Sequence, residues 1–485
     1  MASHHSVSPV GSYDEKSDLE PESSTTVSRS RHSWFRSVFF QATVVGMCAF
    51  LSPGIWNSSA GGGQEPYLVN AANSLVFGLM VFTCLLAGTI TNKISYRWAV
   101  VLGTAGYAPY AAGLYLNKTR GTVWLVLFGS ACCGLSAGLF WGVEDPEARK
   151  RGRYLAYWLA FRNGGQLLGG IISLALNTHA SGTGSVGTST YVCRALSAVF
   201  DKLTRLKWQL VFIALQAFAP VLGVLVSNPA QVRRPDNTKV EMENNAGFVT
   251  EMKEMWSIIK RREVLFLIPI SLYAQWSSSY AGTFLSLYFS VRSRALAAFL
   301  VAVLGVIVNG LLGAFLDNTS VRMKVRSRAS YIFIMSVLGG VWIWFTVLQV
   351  RYDGTEPKYD WTDGGAWAAG FVLYLVFYSC YYVRPRSFSS PSSFSLCSPR
   401  SLQLLQNELY WLISQLARQP TEVIRLSSFL RALESAGSAC AFGVSASKHL
   451  PKTVPVGINF GLWAVSTLTA WGTVREIGVA VGPEV

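Results

Sequence analysis

Two charged residues stand inside apolar runs, where a charge has no ordinary place. Arg162 lies in LAFRNGGQLLGG and Glu434 in RALESAGSACAFG. In hydrocarbon a guanidinium costs several kcal/mol, about 2.5–3.5 on insertion scales, unless it meets a cavity or a counter-charge. Arg162 therefore has two readings. It lines a central cavity and binds an anionic group of a solute, or it pairs with a carboxylate or carbonyls and fixes a helical bundle. Glu434 has the same choice: a carboxyl in a desolvated site can carry a proton, or it pairs with Arg431, three residues earlier on one helical face.

Other chemistry is poorly supplied. The chain has five His, two of them near its start, and no Ser/His/Asp or Cys/His set, so an enzyme is not expected. Cys48, Cys84, Cys132, Cys133, Cys380 and Cys440 lie in apolar runs and no CxxC or Cys/His cluster occurs. Neither metal nor cofactor is expected. GGGQ at Gly61–Gln64 lacks the Lys-Ser/Thr of a phosphate loop and reads as a flexible connection.

The elements that hold Arg162 and Glu434 follow from composition. Of 485 residues, 51% are hydrophobic and 14% charged, with mean hydropathy +0.33. A soluble chain of this size carries about 25% charged residues. The apolar runs approach membrane-spanning length, which makes this a multi-pass membrane protein whose first partner is the lipid bilayer. The net charge of +15 sits in short groups between apolar runs. That is the positive-inside pattern and not a nucleic-acid face. Residues 1–36 are polar and Ser-rich and read as a disordered cytosolic tail.

Twelve candidate spans lie at roughly 38–56, 68–90, 98–116, 122–143, 154–176, 208–227, 264–286, 295–316, 329–350, 366–383, 424–446 and 454–472. With the N-terminus inside, three basic loops also fall inside: Lys93 with Arg97, Arg149 to Arg153, and Arg322 to Arg328. The loop with Asp353, Glu356, Asp360 and Asp363 falls outside, as do the sequons at Asn57 and Asn117. Arg292 and Arg294 run against the bias. Both termini are then cytosolic. The long connection at 229–263 divides the chain into six-helix bundles at 37–228 and 264–472, followed by a tail at 473–485. Two such halves are a major facilitator architecture, with alternating access as the mechanism. Span 5 aligns with span 11 when Arg162 is set against Glu434, which puts Gly165 on Gly437.

In this fold span 2 lies between the bundles, so Asn73 becomes a candidate solute contact, with Gln166 beside Arg162. Asn70, Asn177 and Gln275 read as interhelical glue, at about 0.6 kcal/mol per hydrogen bond in membranes. Arg162, Glu434, Asn73 and Gln166 are the candidate substrate- or ion-binding residues.

Several segments carry a family resemblance. SPGIWNSSAGGGQ, YLVNAANSLVFG, LGTAGYAPYAAGLYLN, GLSAGLFWGVE, RGRYLAYWLAFRNGGQLLGGIISLALN, SYAGTFLSLYFSVRSRAL and SSFLRALESAGSACAFG, in that order, resemble the fungal branch of the Unc-ninety-three-like family of the major facilitator superfamily. The resemblance implies an all-α polytopic fold of twelve helices in two bundles, and names no substrate. Fungal members are read as transporters from their fold. Animal members act as regulators or escorts of other membrane proteins, so a non-transporting scaffold for a channel or receptor is the alternative function, with another membrane protein as partner. The superfamily's loop between spans 2 and 3 has Gly, then Asp, Gly and basic residues. In GTITNKISYR, Gly88 and Arg97 fit, while Asn92 replaces the acid and Ser95 the second glycine. Gly88, Asn92, Arg97 and Arg431 are the candidate structural or gating residues. Glu144 ends span 4 next to a shortened connection, which leaves its role open.

Two segments interrupt the resemblance. STYVCRALSAVFDKLTRLKWQLVFIALQ breaks a run that would read STYLVFIALQ, and VRPRSFSSPSSFSLCSPRSLQLLQ follows Tyr382 in mid-span. Val192-Cys193 and Val383-Arg384 can be encoded by splice-donor sequences, and Gln209 and Gln406 by CAG acceptors. Residues 192–209 and 383–406 are therefore read as translated retained introns. The other reading makes them loops, the second a Ser/Pro/Arg segment open to phosphorylation.

Overall fold

An apolar chain in lipid has no water to satisfy its backbone, so its runs close their hydrogen bonds internally as helices. The computed structural model describes residues 34–56, 65–142, 161, 164–171, 174, 208–227, 232, 248–316, 322–353, 355, 357–379, 404–477 and 479. Among these the fold is all-helical, with one isolated bridge between Phe289 and Tyr359. Arg162, Glu144, Asn177 and the segments 192–207 and 380–403 lie outside the described residues.

The first half holds α1 (Val38–Ala49), α2 (Pro66–Ile94), α3 (Tyr96–Ala105), α4 (Tyr107–Arg120) and α5 (Val123–Gly142). A helical stretch at 164–171 and α6 (Trp208–Gly223) complete it. A connecting helix α7 (Phe248–Ile259) and the short α8 (Arg262–Leu265) lead to the second half. That half holds α9 (Ile268–Tyr288), α10 (Val291–Leu316), α11 (Met323–Asp353), α12 (Gly365–Ser379), α13 (Leu404–Leu416), α14 (Pro420–Ala446) and α15 (Thr453–Val474).

Among the described residues, three helices are long and apolar enough to cross a membrane by length and composition: Pro66–Thr91, Val123–Gly142 and Met323–Asp353. Some of the remaining helices are short because the sequence interrupts them. α1 runs into a π-turn, Phe50–Gly54, around Pro53, whose missing N–H cannot continue the ladder. The expected third span divides at Gly106, where a Cβ would lie 2.1 Å from the Cys132 carbonyl oxygen. The expected tenth span is described as far as Ser379, the end of α12, and α13 follows the undescribed residues. Phe377 and Tyr378 at the end of α12 and Leu405 at the start of α13 line the same small cleft, closed by Tyr273, Ser277 and Leu338.

Apolar attraction between helices is weak in lipid, so close packing and hydrogen bonds hold the bundle. A Cβ on Gly165 would lie 2.4 Å from the Phe50 carbonyl oxygen of the π-turn that continues α1, and one on Gly437 would lie 2.1 Å from that of Leu272 on α9. These two glycines make the same kind of contact in the two halves, each letting its helix ride against the first helix of its own half. The second half adds an aromatic core in which Tyr280, Phe284 and Phe345 meet edge-on or tilted at 5.2–6.2 Å. Such pairs are worth about 0.5–1.5 kcal/mol beyond their buried area.

The chain ends define one face, here the termini face. Gln41 Nε2 donates to Ser227 Oγ at 3.2 Å, and Arg97 Nε to the Val226 carbonyl at 2.6 Å. Thr473 Oγ1 donates to the Glu263 carbonyl at 2.8 Å. Arg261 forks onto the Glu422 carboxylate at 2.9 and 2.6 Å, which draws that carboxyl below its usual range. On the far face Asp360 accounts for Arg292, one of the two charges that run against the positive-inside bias. It ion-pairs with Arg292 and accepts from Ser290 Oγ at 2.6 Å, and the Arg292 guanidinium lies 4.6 Å over the Trp361 ring. Arg292 therefore sits on the acidic side as the counter-charge of the loop after α11.

Candidate functional site

The two halves meet along α2 and α14, which run antiparallel. From the far face inward, Glu65 ion-pairs with Lys448, and the Lys448 ammonium lies 5.3 Å over the Tyr67 ring. Asn70 Nδ2 donates to the Ser445 carbonyl at 2.9 Å and to Thr283 Oγ1 at 3.2 Å. Ser74 Oγ donates to the Ala439 carbonyl at 2.8 Å, opposite Gly78. Phe77 and Phe442 stack at 5.6 Å with an interplanar angle of 1°. Small side chains let the helices approach, and Asn70 and Ser74 each bond to the opposite backbone. A second seam is marked by Gly170, where a Cβ would lie 3.1 Å from the Phe299 Cα of α10.

Deeper along α14 lies the expected acid. Glu434 is buried at 1% exposure, and Arg431 Nη1 donates to its Oε2 at 2.9 Å. The Arg431 guanidinium also lies 4.7 Å over the Trp141 ring of α5 and 5.3 Å over the Tyr410 ring of α13. One cation thus joins an acid on its own helix, an indole of the first half and a phenol of the second. Aromatic faces compensate part of the desolvation of a guanidinium, by about 0.5–2 kcal/mol each. The whole set lies toward the termini face.

The remaining candidates scatter. Asn73 is buried, but it accepts from Tyr110 Oη at 3.4 Å within its own half. Gln166 is half-buried in the 164–171 stretch. Gly88 has nothing within 4 Å of a Cβ built on it. Asn92 lies in the last turn of α2, and Arg97 closes the C-terminal end of α6 by its bond to Val226, where a cation also meets the negative end of the helix dipole. Ser95, standing where the superfamily loop has glycine, takes φ 75° and ψ 154°. Among the described residues it is the one non-glycine with positive φ.

Asn70, read from the sequence as interhelical glue, bonds across the halves and Asn73 does not, because only the helix register decides which amide faces α14. Trp141 and Glu408 were not singled out in the sequence. Glu408, in LLQNELYWLI, is buried at 1% exposure, and its signal was a single acid in an apolar run beside a segment set aside as non-native. Among the described residues no group of three His, Cys, Asp or Glu could hold a metal.

A family model described as ion channel regulatory protein UNC-93 matches residues 67–359. Notoamide biosynthesis cluster protein O' of Aspergillus versicolor is 31% identical over 472 residues, covering 95% of this chain and 94% of that protein. UNC93-like protein 1 of Arabidopsis thaliana is 26% identical over 457 residues, covering 89% of each. Two structures of the nucleoside transporter NupG superpose with TM-scores of 0.57 and 0.53, at 11% and 10% identity. They cover 89% and 90% of this chain and 99% of their own. At that identity they share the fold with this chain.

Proposed function

We propose that this chain, which belongs to the UNC-93 family, is a secondary transporter that moves a small solute by alternating access between two six-helix halves. In this reading twelve segments cross the membrane and both termini are cytosolic. The observation that carries it is the unequal seam between the halves. Toward the far face it is closed by backbone-directed hydrogen bonds and a stacked pair. Toward the termini face Arg431 on Trp141 is a single-cation contact. Contacts of this kind, each worth about 1 kcal/mol, can exchange between two arrangements, which a continuous apolar interface cannot do as readily.

In this reading the Arg431–Glu434 pair borders the solute pathway on its termini side, and Arg162, which the sequence alignment of the two halves sets against Glu434, is the candidate second charge. A transport assay tests this. The full chain in proteoliposomes, given a panel of neutral and anionic solutes, takes up at least one of them. Glu434→Gln and Arg162→Ala abolish that uptake or slow it at least tenfold. Uptake unchanged in both variants removes these residues from the pathway.

The family description, an ion channel regulatory protein, supports a second reading as a partner-binding membrane protein. No uptake of any solute, together with stoichiometric capture of one membrane protein in mild detergent, selects that reading.

A further inference from the structure

We propose that Glu408 and Ser330 form a proton-binding site inside the second half, and that its proton is the coupling ion of the transport reading, on which that coupling role rests. Glu408 projects from α13 among the buried Leu405, Leu409 and Leu412 of the same helix. Its Oε1 lies 2.9 Å from Ser330 Oγ of α11, and its Oε2 has no hydrogen-bond partner. Ser330 Oγ also lies 2.7 Å from the Arg326 carbonyl oxygen and 3.2 Å from that of Ser327. A serine has one proton, and the shortest contact is the ordinary bond back to the preceding helical turn. The contact with Glu408 then closes when the carboxyl donates its own proton to Ser330 Oγ.

The surrounding charges agree with a neutral acid. On α11, Arg326 makes no ion pair with Glu408, and Tyr331 Oη donates to the Thr467 carbonyl at 2.8 Å. On α9, Tyr273 Oη accepts from Trp342 Nε1 at 2.6 Å. On α14, Arg431 is held by Glu434, and Glu434 is a like charge. Past Arg292 and Arg294 at its start, α10 presents no titratable group among its residues with described side chains. An isolated carboxylate here would have one neutral donor for its charge, which a low-dielectric interior does not tolerate. Among the described residues Glu434 has a guanidinium against it and Glu408 has none.

The site is also tied to the seam. Tyr410, two residues along α13, lies under the Arg431 guanidinium that rests on Trp141. Opening the termini face moves this helix against water, and the acid then releases one proton to that side as a carboxylate.

Infrared difference spectroscopy on the full chain in nanodiscs tests the site without any solute. The wild type shows a carboxylic-acid carbonyl band at neutral pH that disappears in alkali. Glu408→Gln removes that band and Glu434→Gln keeps it. Ser330→Ala, which retains the carboxyl, shifts its frequency and its pH midpoint. A wild type without the band, a band that survives Glu408→Gln, or one unmoved by Ser330→Ala overturns the site. If the band behaves as stated and no solute is taken up, the transport reading falls and the proton site stands. If solute is taken up but does not respond to an imposed pH gradient, the coupling role falls.

Discussion

Arg431 rests its guanidinium 4.7 Å above the ring of Trp141, a residue of the opposite half. The same side chain donates to Glu434 at 2.9 Å. Removing the cation takes away the ion pair with Glu434 and the contact across the termini face. Arg431→Ala should weaken closure by about 1–2 kcal/mol, a shift of roughly five- to thirty-fold in population. A cysteine at Ala432, which is buried, should then react correspondingly faster with a polar thiol reagent. Arg431→Lys should retain most of the protection. An alkylation rate unchanged in Arg431→Ala assigns the closure to other contacts.

Ser95 occupies a backbone conformation, φ 75° and ψ 154°, that is open almost only to glycine. Holding a side chain there costs about 1–3 kcal/mol. Ser95→Gly should raise the thermal unfolding temperature of the purified protein, and Ser95→Val should lower it. The comparison is made by differential scanning fluorimetry in one detergent. A Ser95→Gly variant less stable than the wild type would show that the serine hydroxyl has a role outweighing the strain.

Gly437 and Gly88 should respond oppositely to alanine. A Cβ at Gly437 meets a carbonyl oxygen at 2.1 Å, and one at Gly88 meets nothing within 4 Å. Gly437→Ala forces α14 away from α9 and should cost about 1–3 kcal/mol. Gly88→Ala should be neutral or stabilise α2 by up to about 1 kcal/mol. Thermal melts of the two variants measure the difference directly. Equal losses would give Gly88 a packing role that this conformation does not contain.

Asp360 ties the far-face loop to the start of α10. The Arg292 guanidinium, with Ser290 and the Trp361 backbone, holds its carboxyl down at about 2, from an ordinary value of 3.8. A depressed carboxyl stabilises the fold fully above its unfolded value. That stabilisation is lost as pH falls through the folded value. The wild-type melting temperature should therefore decline between about pH 4 and pH 2 more steeply than that of Asp360→Asn, which starts lower and lacks this component. Parallel curves for the two proteins would remove Asp360 from acid stability.

The tenth span should be one continuous helix in the expressed protein. Phe377, Tyr378 and Leu405 line one cleft, and we propose that residues 383–406 and 192–209 are retained introns, with their exact edges set by the transcript. Sequencing cDNA should return messages lacking both. A chain without the two segments should elute as a sharper size-exclusion peak and melt higher than the full sequence. Messages that carry both segments in frame, together with equal behaviour of the two chains, overturn the proposal.

Composition was enough to read a helical membrane protein, because apolar run length, charge placement and glycine content are properties of the chain that survive without coordinates. The ordered set of family segments carried the fold. Register could be read only in part: aligning Arg162 with Glu434 placed Gly165 on Gly437, and these two glycines make matching close contacts. The side-chain partners were not legible. Asn70 and Asn73 are the same residue type three positions apart on one helix, yet Asn70 bonds to Ser445 and Asn73 to Tyr110. Arg292 looked misplaced until Asp360, far along the chain, was found against it.

By itself the sequence determined a helical membrane protein and the family it belongs to, since both depend on residue types and their order. A local pattern offered Glu434 a partner, since Arg431 stands three residues earlier on the same helix. Glu408 has no charge one turn away on α13, and only the tertiary structure decided what faces it. Glu434 has Arg431 at 2.9 Å and Glu408 has a serine hydroxyl. The energy of a buried charge depends on what lies within a few ångströms of it, and the packing of distant helices sets that distance.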